Sequence, residues 1–136
     1  MTTDTAAAND IGVVRAGFQA FANGDLGAFA ALFNEDATWN HRNDDRFGGV
    51  HQGRDGIVAF VGESAQLTAG TLRAVPESIM ANGEGQVAVV VRVSATRPDG
   101  RSFDDQQVLL FTLDGDHVGS VDQFVGDPPA VTAFWA

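Results

Sequence analysis

The chain has no cysteine, no lysine and no tyrosine. Without cysteine there is no thiol nucleophile, no disulfide and no thiolate metal ligand. Without lysine all eight basic residues are arginine, and Schiff-base chemistry has no amine except the N-terminus. Without tyrosine no phenol can serve as general acid or oxyanion donor. Polar chemistry is left to His, Asp, Glu, Arg, Ser, Thr, Asn, Gln and Trp. Positive charge is scarce as well. Eighteen acidic residues against eight basic give a net charge of -10, a polyanion that phosphate backbones repel, so no nucleic-acid partner is expected. The charge otherwise serves solubility. No apolar run approaches the ~20 residues of a membrane span. The opening MTTDTAAAND lacks a basic start followed by an apolar core, so no signal peptide is expected there. Residues 1–9 are expected to form a disordered polar tail, and the cytoplasm is the expected location.

What is present is one domain, residues 10–136. It is 44% hydrophobic, enough to bury roughly 68% of its unfolded surface. Asp10 is placed to cap a first helix with an apolar stripe of Val14, Phe18 and Phe21. Asn23-Gly24 closes it, and Asp25 caps a second helix that buries Phe29, Leu32 and Phe33 and runs through Asn34-Glu35-Asp36. From Ala37 to His41 the period becomes two, which puts Trp39 and His41 on one strand face. Arg42 to Arg54 reads as a polar loop, a candidate pocket rim. Asp55 is placed to cap a third helix with Ile57, Phe60 and Val61 inward. Four strands follow: Thr71–Ala81, Gln86–Thr96, Ser102–Leu113 and His117–Val125. Asn82-Gly83-Glu84-Gly85, Pro98-Asp99-Gly100 and Asp114-Gly115-Asp116 turn the chain between them. Pro128-Pro129 stops the last strand, and AVTAFWA reads as a short helical or extended lid. The order ααβα followed by four antiparallel strands predicts an α+β layer fold.

The words FANGDLGAFAALFNEDATW, GVHQGRDGIVAF and VLLFTLDGDHVGSVDQFV, in this order, resemble the SnoaL-like polyketide cyclase and ketosteroid-isomerase-like group of the NTF2-like superfamily. The resemblance covers about residues 11–135. It implies a cone, with three helices packed on a curved antiparallel sheet open at one end. It implies activities ranging from isomerisation and cyclisation to epoxide hydrolysis, dehydration and plain binding. It sets His41 where the steroid isomerases keep an Asp proton shuttle, and Asp122 where the cyclases carry an acid/base Asp. Gly17 and about Leu109 fall where the isomerases hold their oxyanion Tyr and neutral Asp, so both donors are missing and steroid isomerase activity is not expected.

Asp122 and His41 are therefore the candidate catalytic residues. Counting by twos, Val118, Ser120, Asp122 and Phe124 share one strand face, and Val121, Gln123 and Val125 the other. If the Val118 face looks into the cone, a carboxylate stands in an apolar cavity and becomes a usable acid or base; the opposite parity leaves it in solvent. His41 either exchanges a proton with substrate, paired with Asp122, or closes a strand beside the polar loop. Trp39, Phe18 and Phe124 are candidate apolar walls. Gln107, which shares parity with Asp105, Leu109 and Phe111, is a candidate donor inside the cone. Arg92 interrupts VAVVVRV and either binds an anionic substrate group or lies on the outer face. His51 either closes over a ligand from the loop or is solvated, and His117 is a surface residue.

Three histidines without H-x-H or H-x-x-x-H spacing make no metal site. No phosphate-binding glycine motif and no G-x-S-x-G occurs, so no cofactor is expected. Two function classes stand. One is a cofactor-independent acid/base enzyme (cyclase, isomerase, dehydratase or hydrolase) acting on an apolar, polyketide-like or cyclic carbonyl compound; its epoxide-hydrolase variant would need an Arg beside Asp122. The other is a non-catalytic module that binds a hydrophobic small molecule or dimerises. The uncharged run Val87–Val91 and the resemblance point to a homodimer.

Overall fold

The computed structural model describes residues 3–136. Its elements run α1 Thr3–Ala22, α2 Leu26–Ala31, β1 Phe33–Arg42, β2 Gly49–Gln52, α3 Gly53–Leu67, β3 Arg73–Ala81, β4 Gln86–Thr96, β5 Ser102–Asp114, β6 His117–Phe124 and α4 Pro128–Trp135. One six-stranded sheet has the order β2-β1-β6-β5-β4-β3. Strands β3 to β6 form the expected antiparallel meander. β1 joins it in parallel beside β6 and carries β2 antiparallel on its free edge. The α+β class holds, with one strand and one helix more than the sequence pattern predicts.

Local chemistry explains most boundaries. The Asp25 side chain accepts from Ala28 N and caps α2. At the β3–β4 turn the Asn82 side chain accepts from Glu84 N and Gln86 N, with Gly83 and Gly85 at positive φ. Asp127 caps α4, and the two prolines occupy its first turn rather than ending a strand, since their missing N–H groups cost nothing there.

Other boundaries differ from expectation. α1 begins at Thr3, so residues 3–9 are helical where a tail was expected, and Asp10 lies inside the helix instead of capping it. Residues 1–2 lie outside the described residues. α2 stops at Ala31, and Phe33 opens β1, so Asn34-Glu35-Asp36 is strand. Phe33 pairs with Val118 of β6, and residues 34–37 form the irregular stretch before pairing resumes at Thr38. The long loop contains β2, and α3 starts at Gly53, with Asp55 in its first turn and no side-chain cap.

The helices cover the concave face. One core cluster joins Val14, Phe29, Phe33 and Trp39 to the inward valines of β4, with Leu109 and Phe111 from β5. A second, around Phe47, Val131, Phe134 and Trp135, seals one end with α4. Arg97 and Arg101 donate to the Phe134 and Ala136 carbonyls and tie α4 to the β4–β5 turn. Among the described residues no helix is long and apolar enough to cross a membrane.

Candidate active site

The space between the helices and the sheet is a cavity of about 110 Å³. Its walls are apolar: Val13, Val14, Phe18 and Phe21 from α1, Phe29 from α2, Phe60 and Val61 from α3, and Trp39, Leu109 and Phe111 from the sheet. A smaller chamber of about 60 Å³ shares Phe60, Ser64, Leu72, Val93, Gln107 and Gln123 with it and adds His41, Phe103 and Trp135. Among the described residues, His41 is the single titratable side chain lining either chamber.

At the floor, a chain of polar side chains crosses β1, β6 and β5. Trp39 Nε1 donates to Gln123 Oε1 at 2.9 Å. His41 Nδ1 faces the same oxygen at 2.9 Å. Gln123 Nε2 donates to Gln107 Oε1 at 2.8 Å, and Gln107 Nε2 to Asp105 Oδ2 at 3.0 Å. On its other side, His41 Nε2 lies 2.8 Å from Asp45 Oδ2. Asp45 also accepts from Asn43 Nδ2 and from Phe47 N.

The donors and acceptors sort themselves. An indole N–H only donates, which fixes the Gln123 oxygen toward Trp39 and therefore toward His41. A carboxylate only accepts, so His41 meets an acceptor at both ring nitrogens. Burial pushes the Asp45 carboxyl up, but hydrogen bonds from His41 and Asn43, the charge of His41 and the Phe47 N–H outweigh it and hold the carboxyl below its ordinary value.

The residues singled out by sequence divide cleanly. Trp39, Phe18 and Gln107 line the cavity, and His41 the smaller chamber. Asp122 does not join them. It lies on the outer face of the sheet, paired with the Arg42 guanidinium at 2.8 Å. Phe124 is on that face too, 44% exposed beneath Arg42. The cause is a register shift in β6. Between Val118 and Ser120 the pairing with both neighbours slips, so Val118, Val121 and Gln123 face inward in place of Val118, Ser120 and Asp122. Arg92 points outward to Glu77 and Asp104. His51 lies on β2, stacks on Phe60 at 4.2 Å and bonds the Phe47 carbonyl; it lines neither chamber.

Three site residues escaped sequence reading. Gln123 shares the strand face opposite the candidate Asp122 and was not itself a candidate. Asp105 was noted only for its parity with Gln107. Asp45 sat in a run of loop polar residues, although its i+4 spacing from His41 was a usable signal. Among the described residues no group of three His, Cys, Asp or Glu side chains is placed to hold a metal ion.

The family model of the SnoaL-like domain matches residues 14–120. An uncharacterized protein of Mycobacterium tuberculosis (strain ATCC 25618 / H37Rv) is 34% identical over 127 residues, covering 93% of this chain and 96% of that one. Among solved structures, Bal32a from a soil-derived mobile gene cassette superposes with a TM-score of 0.92 at 30% identity, covering 96% of this chain and 99% of the other. An NTF2-like protein from Burkholderia xenovorans LB400 superposes with a TM-score of 0.80 at 21% identity, covering 96% and 98%, and shares the fold.

Proposed function

The chain belongs to the SnoaL-like domain family, which includes polyketide cyclases and isomerases, and on that premise we propose that it performs acid/base chemistry on an apolar carbonyl compound held in its cavity. The observation that carries this reading is that, among the described residues, His41 is the single titratable group on the chamber walls, backed by a buried carboxylate. Proton transfer to a bound ligand therefore runs through His41 or through water. Asp45 orients the ring through Nε2. Asp45 takes the partner role expected of Asp122. Cyclisation, isomerisation and dehydration share the elementary step of moving a proton beside a carbonyl.

The test is α-proton exchange of acetophenone in D2O, followed by NMR. The parent chain is expected to accelerate exchange, and His41→Phe to abolish it while acetophenone still binds. A second reading, sequestration without chemistry, draws support from both His41 nitrogens being engaged while the ring is only 3% exposed. Saturable binding with no acceleration by the parent would favour it.

A further inference from the structure

We infer that Asp105 is a positioning residue that orients the amides of Gln107 and Gln123, so that the cavity floor presents two N–H groups to one uncharged oxygen of the ligand. The inference rests on the proposed function only in taking the cavity as occupied by an apolar carbonyl compound.

Asp105 lines neither chamber and is buried. It accepts three hydrogen bonds, from Gln107 Nε2, Gly126 N and Asp127 N, each at 3.0 Å. The two backbone donors come from the segment joining β6 to α4. That segment lies so close that a Cβ on Gly126 would stand 2.3 Å from the Gln106 carbonyl and 2.8 Å from Asp105 Oδ1. The carboxylate is thus clamped, and as a pure acceptor it forces the Gln107 NH2 toward itself. The Gln107 oxygen must then face Gln123, and the Gln123 NH2 must face that oxygen.

The same orientation follows independently from the opposite end. Trp39 Nε1 has no lone pair to offer, so it forces the Gln123 oxygen toward itself. The two ends agree, and neither amide can turn over without setting donor against donor.

Each amide nitrogen carries two hydrogens, and each has used one. One N–H therefore remains on each of two adjacent side chains, both on the cavity lining. Of the other polar groups on that lining, the Trp39 N–H is taken by Gln123 and the Ser64 hydroxyl gives its hydrogen to the Phe60 carbonyl. A carbonyl oxygen is the complement of this floor. It is uncharged, so it enters an apolar chamber without the penalty of burying an ion, and it accepts from both N–H groups.

Asp105→Asn keeps the shape and destroys the direction. Its NH2 must face either a backbone N–H or the Gln107 NH2; turning Gln107 to relieve the conflict passes it to Gln123 and Trp39. Gln107→Leu removes the link while leaving the Asp105 clamp on Gly126 and Asp127, and so serves if Asp105→Asn does not fold.

The experiment is an NMR titration of the 15N-labelled full chain with acetophenone and with ethylbenzene, which differ by a carbonyl in place of a methylene. In the parent, acetophenone is expected to shift the side-chain NH2 signals of Gln107 and Gln123, and ethylbenzene to leave them in place. The ratio of ethylbenzene Kd to acetophenone Kd is expected to fall about 2- to 12-fold in either variant, the worth of one net hydrogen bond. An unchanged ratio, or unmoved amide signals on saturation with acetophenone, overturns the inference alone. Failure of both probes to bind the parent overturns the cavity reading, and the inference with it.

Discussion

His41 Nε2 and Asp45 Oδ2 stand 2.8 Å apart, with the two side chains 3% and 1% exposed. β1 delivers the imidazole to the floor, and the loop leaving that strand folds back to put the carboxylate behind it. The loop is itself pinned: Asn43 donates to Asp45 and to the Thr132 hydroxyl on α4, and Thr132 donates to the Asp44 carbonyl. The orientation of the candidate proton carrier therefore depends on packing at the closed end of the cone.

The pair sets an acid limit on stability. The Asp45 carboxyl lies below its ordinary value of 3.8 when folded. Its contribution is complete above the unfolded value and is lost as pH falls through the folded one. Urea denaturation should therefore show the parent losing stability below pH 3.8 more steeply than Asp45→Asn. Near neutral pH that variant should be less stable by about 1.5–3 kcal/mol, from loss of a charged hydrogen bond. Parallel pH curves for the two proteins would contradict the assignment.

Asp122 makes a contrasting prediction. Its contact with Arg42 is solvent-exposed, and such pairs are worth about 0–1 kcal/mol. Asp122→Asn should change stability within that range and leave acetophenone exchange at the parent rate. Loss of exchange with the fold intact would return this carboxylate to the chemistry.

Two glycines should respond in opposite senses. Gly126→Ala drives a methyl into the Gln106 carbonyl and should cost about 1–3 kcal/mol by overpacking. Gly12 lies within α1 with nothing inside 4 Å of an added Cβ, so Gly12→Ala should stabilise by roughly 0.5–1 kcal/mol. Thermal unfolding of both variants checks the pair; equal shifts would contradict the close approach at Gly126.

The outer face of the sheet carries Val108 and Phe124 as cross-strand neighbours, 39% and 44% exposed, with Met80 further along it. Around them Arg42 and Arg92 alternate with Asp122 and Asp104. Mixed charge around an apolar centre suits a two-fold contact between copies of the chain, since each sign meets its opposite across the axis. We propose that this face forms a homodimer. Sedimentation should show a dimer for the parent and a monomer for Val108→Glu combined with Phe124→Glu; a monomeric parent would sink the proposal.

Much of this arrangement was legible in the residue order. The meander from β3 to β6 followed from β-branched runs separated by Asn-Gly and Asp-Gly turns. The shared face of Trp39 and His41 followed from simple alternation along β1. Gln107 followed from alternation along β5. Each of these is a local regularity that tertiary contacts reinforce.

The rest depended on contacts distant in sequence. Alternation from Val118 predicts Asp122 inward, and one slipped residue at Gly119 exchanges it for Gln123. At that slip β6 is paired on both sides, with β1 in parallel and with β5 in antiparallel sense. Asp45 and Asp105 became site residues only when loop and helix folded over them. The sequence by itself determined the fold class, the meander and the shared face of Trp39 and His41, because periodicity and turn chemistry act between near neighbours. Tertiary structure alone decided which carboxylate meets that imidazole and which way the amides point, because a strand's register is set by its partners rather than by its own residues.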